Sequence, residues 1–245
     1  MKQFAPKRRS YKALVVAVFG LMASTQAAAG DCVVLLHGLG RSHLSMTLMQ
    51  FALERSGYAV WNRGYPSTSK TVEELAPVIG EAVAECRKSP PQRIHFVTHS
   101  MGGILVRAYF RDHEVEEAGR VVMLAPPNHG SEIVDAHRER WWFRRMTGPA
   151  GQQLGTAADS LPNQLPPLKL EVGVIAGKSS SDPWFGDLYA GDHDGKVSVA
   201  SARLPEMKDM LIVESGHTFM MNSPAVIRQV KAFLKDGAFE KDRAL

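Results

Sequence analysis

Ile94-His-Phe-Val-Thr-His-Ser-Met-Gly-Gly-Ile-Leu105 is the stretch whose reading decides the fold. Its first five residues suit a strand buried on both faces, and a helix reads from Gly102 to Arg111. Ser100 falls at the turn between them. A serine held at the tip of a tight strand-to-helix turn has its Oγ aimed out of the sheet, and the backbone there demands small residues two places before and after it. Those places hold Thr98 and Gly102, so Thr98 departs from the Gly-x-Ser-x-Gly pattern while staying fairly small. The Met101 N–H would stand at the helix N-terminus, where partial positive charge stabilises a developing oxyanion. Ser100 therefore reads as a nucleophile.

Outward from this turn the chain alternates strand-like and helix-like segments. Strands are expected at Cys32–Leu36, Tyr58–Trp61, Val121–Ala125, Val172–Ala176 and Met210–Val213. Helices are expected from Ser45 to Arg55 and from Val72 to Lys88, the latter kinked or started by Pro77. A last helix opens with Ser223 as N-cap and Pro224 at its first position, its inner stripe being Val226, Ile227, Val230, Phe233 and Leu234. This alternation predicts an α/β fold, a mostly parallel, doubly wound sheet with helices on both faces. One domain is expected over residues 30–245, with a lid-like insertion at about 131–167 that carries Trp141-Trp142-Phe143 among arginines.

The chain has 245 residues, 44% hydrophobic and 22% charged, a globular composition. Its net charge of +4 misleads. Lys2, Lys7, Arg8, Arg9 and Lys12 lie in an N-terminal stretch without acidic residues, and without them 24 basic side chains face 25 acidic ones. A nucleic-acid partner is not expected. The basic stretch precedes the apolar run Ala13-Leu-Val-Val-Ala-Val-Phe-Gly-Leu-Met-Ala23 and the small residues Ala27-Ala28-Ala29, the layout of a secretory signal over residues 1–29. Eleven apolar residues are short of the ~20 that span a bilayer, so cleavage is favoured over an anchor. Export to periplasm or medium follows. There the two cysteines, Cys32 and Cys86, would form one disulfide; in the cytosol they would be buried thiols.

Five motifs in order, Leu-Leu-His37-Gly-Leu-Gly, Thr-His-Ser100-Met-Gly-Gly, Leu-Ala-Pro-Pro-Asn-His129-Gly-Ser, Asp194-Gly-Lys-Val and Ser-Gly-His217-Thr, resemble bacterial α/β-hydrolases of the lipase/esterase group. The resemblance covers essentially all of the mature chain. It implies an α/β-hydrolase fold and a carboxyl-ester hydrolase that works without an organic cofactor.

In such a fold the nucleophile is followed by an acid and then a base. His217, the last histidine of the chain and just ahead of the last helix, reads as the base. The acid lies among Asp182, Asp187, Asp192, Asp194, Glu206, Asp209 and Glu214; the Asp-Gly turn of the family pattern favours Asp194 over Asp192. The loop after the first strand should supply a second oxyanion donor, the Leu39 N–H, beside that of Met101.

His37, His99 and His129 read as pocket-wall or supporting residues, and His95 as a strand side chain. Trp141 and Trp142 could cover or line an acyl groove, or pack on the domain. Met46, Met49, Met101, Met220 and Met221 could add soft walls, although such spacing more often marks core. Asp192-His193-Asp194 does not read as a metal site, because adjacent turn residues rarely face one ion. The expected partner is a small acyl ester or lipid, with transient lipid-surface contact possible and the oligomeric state open. The same machinery would serve a thioesterase or acyltransferase, and a non-catalytic binding protein would lack a triad member.

Overall fold

Each strand of the sheet is short, and the inner ones are buried on both faces over most of their length. The computed structural model describes residues 1, 30–180 and 186–240. The expected secretory signal, beyond residue 1, lies outside the described residues, as does Asp182. The strands are β1 (Cys32–Leu36), β2 (Ala59–Asn62), β3 (Ile94–His99), β4 (Ala118–Leu124), β5 (Val172–Gly177) and β6 (Asp209–Val213). All pair in parallel, in the spatial order β2-β1-β3-β4-β5-β6. Every strand thus points its carboxyl end to the same rim, where such sheets bind ligands.

Nine helices are described: α1 (Thr47–Glu54), α2 (Val72–Leu75), α3 (Val78–Cys86), α4 (Met101–Asp112), α5 (Glu132–His137), α6 (Trp141–Gln152), α7 (Leu161–Gln164), α8 (Val199–Ala202) and α9 (Pro224–Asp236). Side chains of successive strand residues alternate between two cores, as the pleat requires. Cys32, Val34, Leu36, Phe96, Met123 and Val174 pack with α2, α3 and α4. Val33, Leu35, Val97, Leu124 and Ile175 pack with α1 and α9. The doubly wound architecture expected from the alternation is what the chain adopts.

Local chemistry sets several boundaries. Pro77 divides the stretch expected as one helix into α2 and α3. Thr71 caps α2 in a reciprocal box with Glu74. Ser223 accepts from the Val226 N–H with Pro224 next in line, and Gly237 ends α9 in a left-handed conformation (φ 73°). Cys32 and Cys86 are joined by a disulfide with Cα atoms 6.0 Å apart, which fastens β1 to the end of α3. Among the described residues no helix is long and apolar enough to cross a membrane.

Between β4 and β5 lie α5, α6 and α7, in the stretch expected as an insertion. Helix α6 breaks at Gly148 (φ 63°) and Pro149. Past the break, the Ala150 N–H bonds the Lys70 carbonyl at 3.0 Å and Gln153 Oε1 accepts from the Val72 N–H at 2.7 Å. Before it, Trp141, Trp142 and Met146 are exposed by 77%, 41% and 60%. Arg107 on α4 fastens the far end of the segment. Its buried guanidinium donates to the carbonyls of Asn128, Pro162 and Leu165 at 2.9–3.1 Å. Burial pushes its pKa down to about 10, so it stays charged at neutral pH.

Candidate active site

Ser100 ends β3 and precedes α4 with φ 53° and ψ −125°, a conformation L-residues rarely adopt. Its N–H bonds the Leu124 carbonyl at 2.8 Å, which ties the turn to the neighbouring strand. Two glycines make room for it. A Cβ at Gly102 would stand 2.8 Å from the Leu36 carbonyl oxygen. One at Gly38 would stand 2.8 Å from His99 Nδ1 and 3.1 Å from Ser100 Cβ. The small residue needed two places after the serine is therefore strictly required. Thr98, two places before, is accommodated inside the sheet with no exposed surface.

His217 follows β6 and faces the carboxylate of Asp194. Its Nδ1 lies 2.8 Å from Asp194 Oδ2, and its own backbone N–H bonds the Asp194 carbonyl at 2.9 Å. Asp194 is 3% exposed. Its Oδ1 accepts from the N–H groups of Lys196 and Val197 at 3.0 and 2.8 Å. An ionised carboxylate can only accept, so a neutral imidazole facing it holds its proton on Nδ1 and leaves the Nε2 lone pair free. Asp192 is exposed; the carboxylate facing His217 is that of Asp194. His193 turns away to stack on Tyr189.

Ser100 and His217 open into one cavity of about 340 Å³. Its apolar wall comes from Leu39, Ile133, Trp142, Phe143, Met146 and Leu154; Arg41 and Lys196 border it, and among the described residues no aspartate or glutamate does. Leu39 N and Met101 N, one from each loop beside Ser100, donate no hydrogen bond among the described residues. They remain available to an oxygen at the site.

The histidines divide. His99 lines the cavity, with Nε2–H donating to the His217 carbonyl at 3.0 Å and its ring 4.8 Å from that of His217. Complete burial, with the nearby His217 adding to it, holds its imidazole well below the usual range. It is therefore neutral at physiological pH. His37 is not on the cavity wall. It stacks on Tyr65 at 4.0 Å, accepts from the Tyr65 N–H, and supports the loop carrying Leu39 from behind. Tyr65 Oη in turn bonds the His37 carbonyl. His129 bonds Asn163 and also stays off the wall, and His95 sits in β3 beside Asp31.

Of the two tryptophans, Trp142 lines the cavity while Trp141, one residue earlier, points into solvent and does not. Met46, Met49, Met101, Met220 and Met221 are wholly buried core, and the methionine on the wall is Met146. Sequence reading missed Arg41, Lys196 and Met146. The one signal for Arg41 was its position directly after the Gly38-Leu39-Gly40 turn.

Helices on both faces of a parallel sheet, with a serine on a strained strand-to-helix turn, define a hydrolase scaffold. The chain belongs to the alpha/beta hydrolase family, which it matches over residues 33–230. No curated protein matches it significantly. Among solved structures it is similar to the mature lipase BlEst2 of Bacillus licheniformis, with a TM-score of 0.68 and 20% identity over 85% of this chain and 92% of that one. It is also similar to a metagenomic carboxyl esterase (TM-score 0.67, 19% identity, 86% and 77% covered). An esterase of Pyrococcus furiosus gives 0.62, 17%, 85% and 82%. At these identities the likeness concerns the fold.

Proposed function

We propose that the chain is a serine hydrolase of carboxylic esters, with Ser100 as nucleophile, His217 as base and Asp194 as the acid that orients it. The observation that carries this reading is the opening of Ser100 and of an imidazole backed by a buried carboxylate into the same cavity. Ser100 Oγ attacks the acyl carbon while its proton passes to His217 Nε2. The tetrahedral oxyanion accepts from the N–H groups of Leu39 and Met101. On collapse the ester bond breaks and the leaving alcohol takes the proton from Nε2. Water, deprotonated by His217, then attacks the acyl-enzyme and releases the acid. Asp194 stabilises the imidazolium without accepting its proton.

Nitrophenyl esters of graded acyl length provide the test. The cavity lies at the small end of the range for ligand sites, about 300–1,000 Å³, so turnover should peak at short to medium chains. Ser100→Ala should lose about 10³-fold or more of kcat, along with labelling by a phosphonate ester. A Ser100→Ala variant as active as the parent would refute the assignment.

The reading includes export, with the segment expected as a signal removed after Ala29 and the Cys32–Cys86 bridge suited to an oxidising compartment. N-terminal sequencing of secreted and periplasmic fractions should find Gly30 first. A start at Met1 would argue against it.

A further inference from the structure

The cavity has two chemically different sides. Ile133, Trp142, Phe143, Met146 and Leu154 make one side apolar. On the other, Arg41 NH2 donates to the Thr218 carbonyl at 3.3 Å, and its guanidinium lies 6.0 Å from the centre of the Phe219 ring. Among the described residues no carboxylate pairs with Arg41. Lys196 borders the same cavity. Close behind, Asp194 has both oxygens engaged by Lys196 N, Val197 N and His217. Arg41 therefore sets a positive charge opposite an apolar wall, where water screens an anion poorly. Arg41 and Lys196 both add to the field that keeps His99, beside Ser100, unprotonated.

Geometry assigns the charged side to one half of the substrate. His217 must hand its proton to the leaving alcohol, so the alcohol lies against His217. Arg41 is held by Thr218, the next residue, and so stands on the alcohol side.

Building on the ester-hydrolase reading, we propose that the preferred substrate is an ester of an anionic alcohol. Its acyl chain lies on the apolar wall, and a phosphate or carboxylate on the alcohol half docks on Arg41. A guanidinium can grip either anion with two parallel N–H donors, which an ammonium cannot do.

Three octanoyl esters of one acyl chain test this: 1-octanoylglycerol, 1-octanoylglycerol 3-phosphate, and the octanoyl ester of 3-hydroxypropanoate. All should be compared as monomers below any micelle concentration. The wild-type chain should favour at least one anionic ester over the neutral one by about tenfold in kcat/KM, the scale of one charged hydrogen bond. That ratio should shrink as salt rises. It should fall toward one in Arg41→Gln and be kept only in part in Arg41→Lys, whose ammonium supplies charge without the two parallel donors.

The ratio is read within each variant, so a general loss of activity does not disguise the result. Preference for the phosphate or for the carboxylate arm alone supports the inference and identifies the anion. Equal turnover of all three esters, or a preference untouched by Arg41→Gln, overturns it while leaving ester hydrolysis standing. Turnover of none, together with no phosphonate labelling of Ser100, overturns both.

Discussion

Asp194 Oδ1 is committed to two backbone N–H groups, and this fixes what an amide would do in its place. In Asp194→Asn the carbonyl oxygen would keep those two donors, leaving the NH2 to face His217 Nδ1. The imidazole would then have to present its lone pair at Nδ1 and carry its proton on Nε2, the wrong tautomer for a base toward Ser100. A fall in kcat of about 10³–10⁴ is expected, with little change in folding. Nitrophenyl ester turnover alongside a urea unfolding curve checks it. Turnover near wild type would remove Asp194 from its proposed role. The candidate site was legible at this scale wherever a residue type is forced by the motif, as with Ser100 and His217. It was illegible where the choice depends on which way a side chain turns. Trp141 and Trp142 are adjacent on α6 and therefore about 100° apart around its axis, so one lines the cavity and the other meets water. Apolarity alone ranks them equally.

Helix α6 shows the same limit one level up. A helical pattern does not reveal that Gly148 lies against the backbone of Thr68, where an added Cβ would stand 1.7 Å from a carbonyl oxygen. Gly148→Ala must both abandon a left-handed φ and push that strand-to-helix loop away. It should cost about 1–3 kcal/mol, read as a lower urea midpoint with cleavage by trypsin appearing near Arg144 and Arg145. An unchanged midpoint would mean that the second half of α6 is not held against residues 68–73. Five strands were legible to within a residue at either end, because each holds a compact apolar run, whereas β4 opens three residues ahead of the expected Val121, through Ala118, Gly119 and Arg120. Helices were less so. The stretch from Val72 to Lys88 carries one continuous apolar face, yet the missing N–H and fixed φ of Pro77 divide it. The three helices between β4 and β5 have short, weakly patterned sequences, and tertiary ties such as those of Arg107 position them instead.

At the scale of the whole molecule, three buried histidines outside the proposed triad set a pH dependence of stability. Burial holds His37, His95 and His99 below the ordinary value of 6.5. Between that value and each lowered one, the unfolded chain binds more protons than the folded chain, so stability is lost as the pH falls through 6.5 and is fully present above it. The thermal midpoint should therefore drop between pH 7 and pH 5; a flat or rising profile over that interval would contradict the burial of these imidazoles. The Cys32–Cys86 bridge spans 54 positions of sequence. Breaking it in a Cys32→Ala, Cys86→Ala double variant should cost about 2–4 kcal/mol, seen in equilibrium unfolding, with activity at low temperature retained because neither cysteine borders the cavity. An unfolding curve that overlays the parent's would show that the bridge adds nothing.

Because all six strands run the same way, Ser100, His217 and Asp194 share one pole of the molecule while the described chain ends share the other. Asp31 leads into β1 next to His95, and Phe239 is pinned by its N–H to Asp209, the first residue of β6. A tether or fusion partner attached at either extremity would hold the protein by its blind side. Immobilised in that way, the molecules would stand in a common orientation with the mouths of their cavities turned toward the bulk solution.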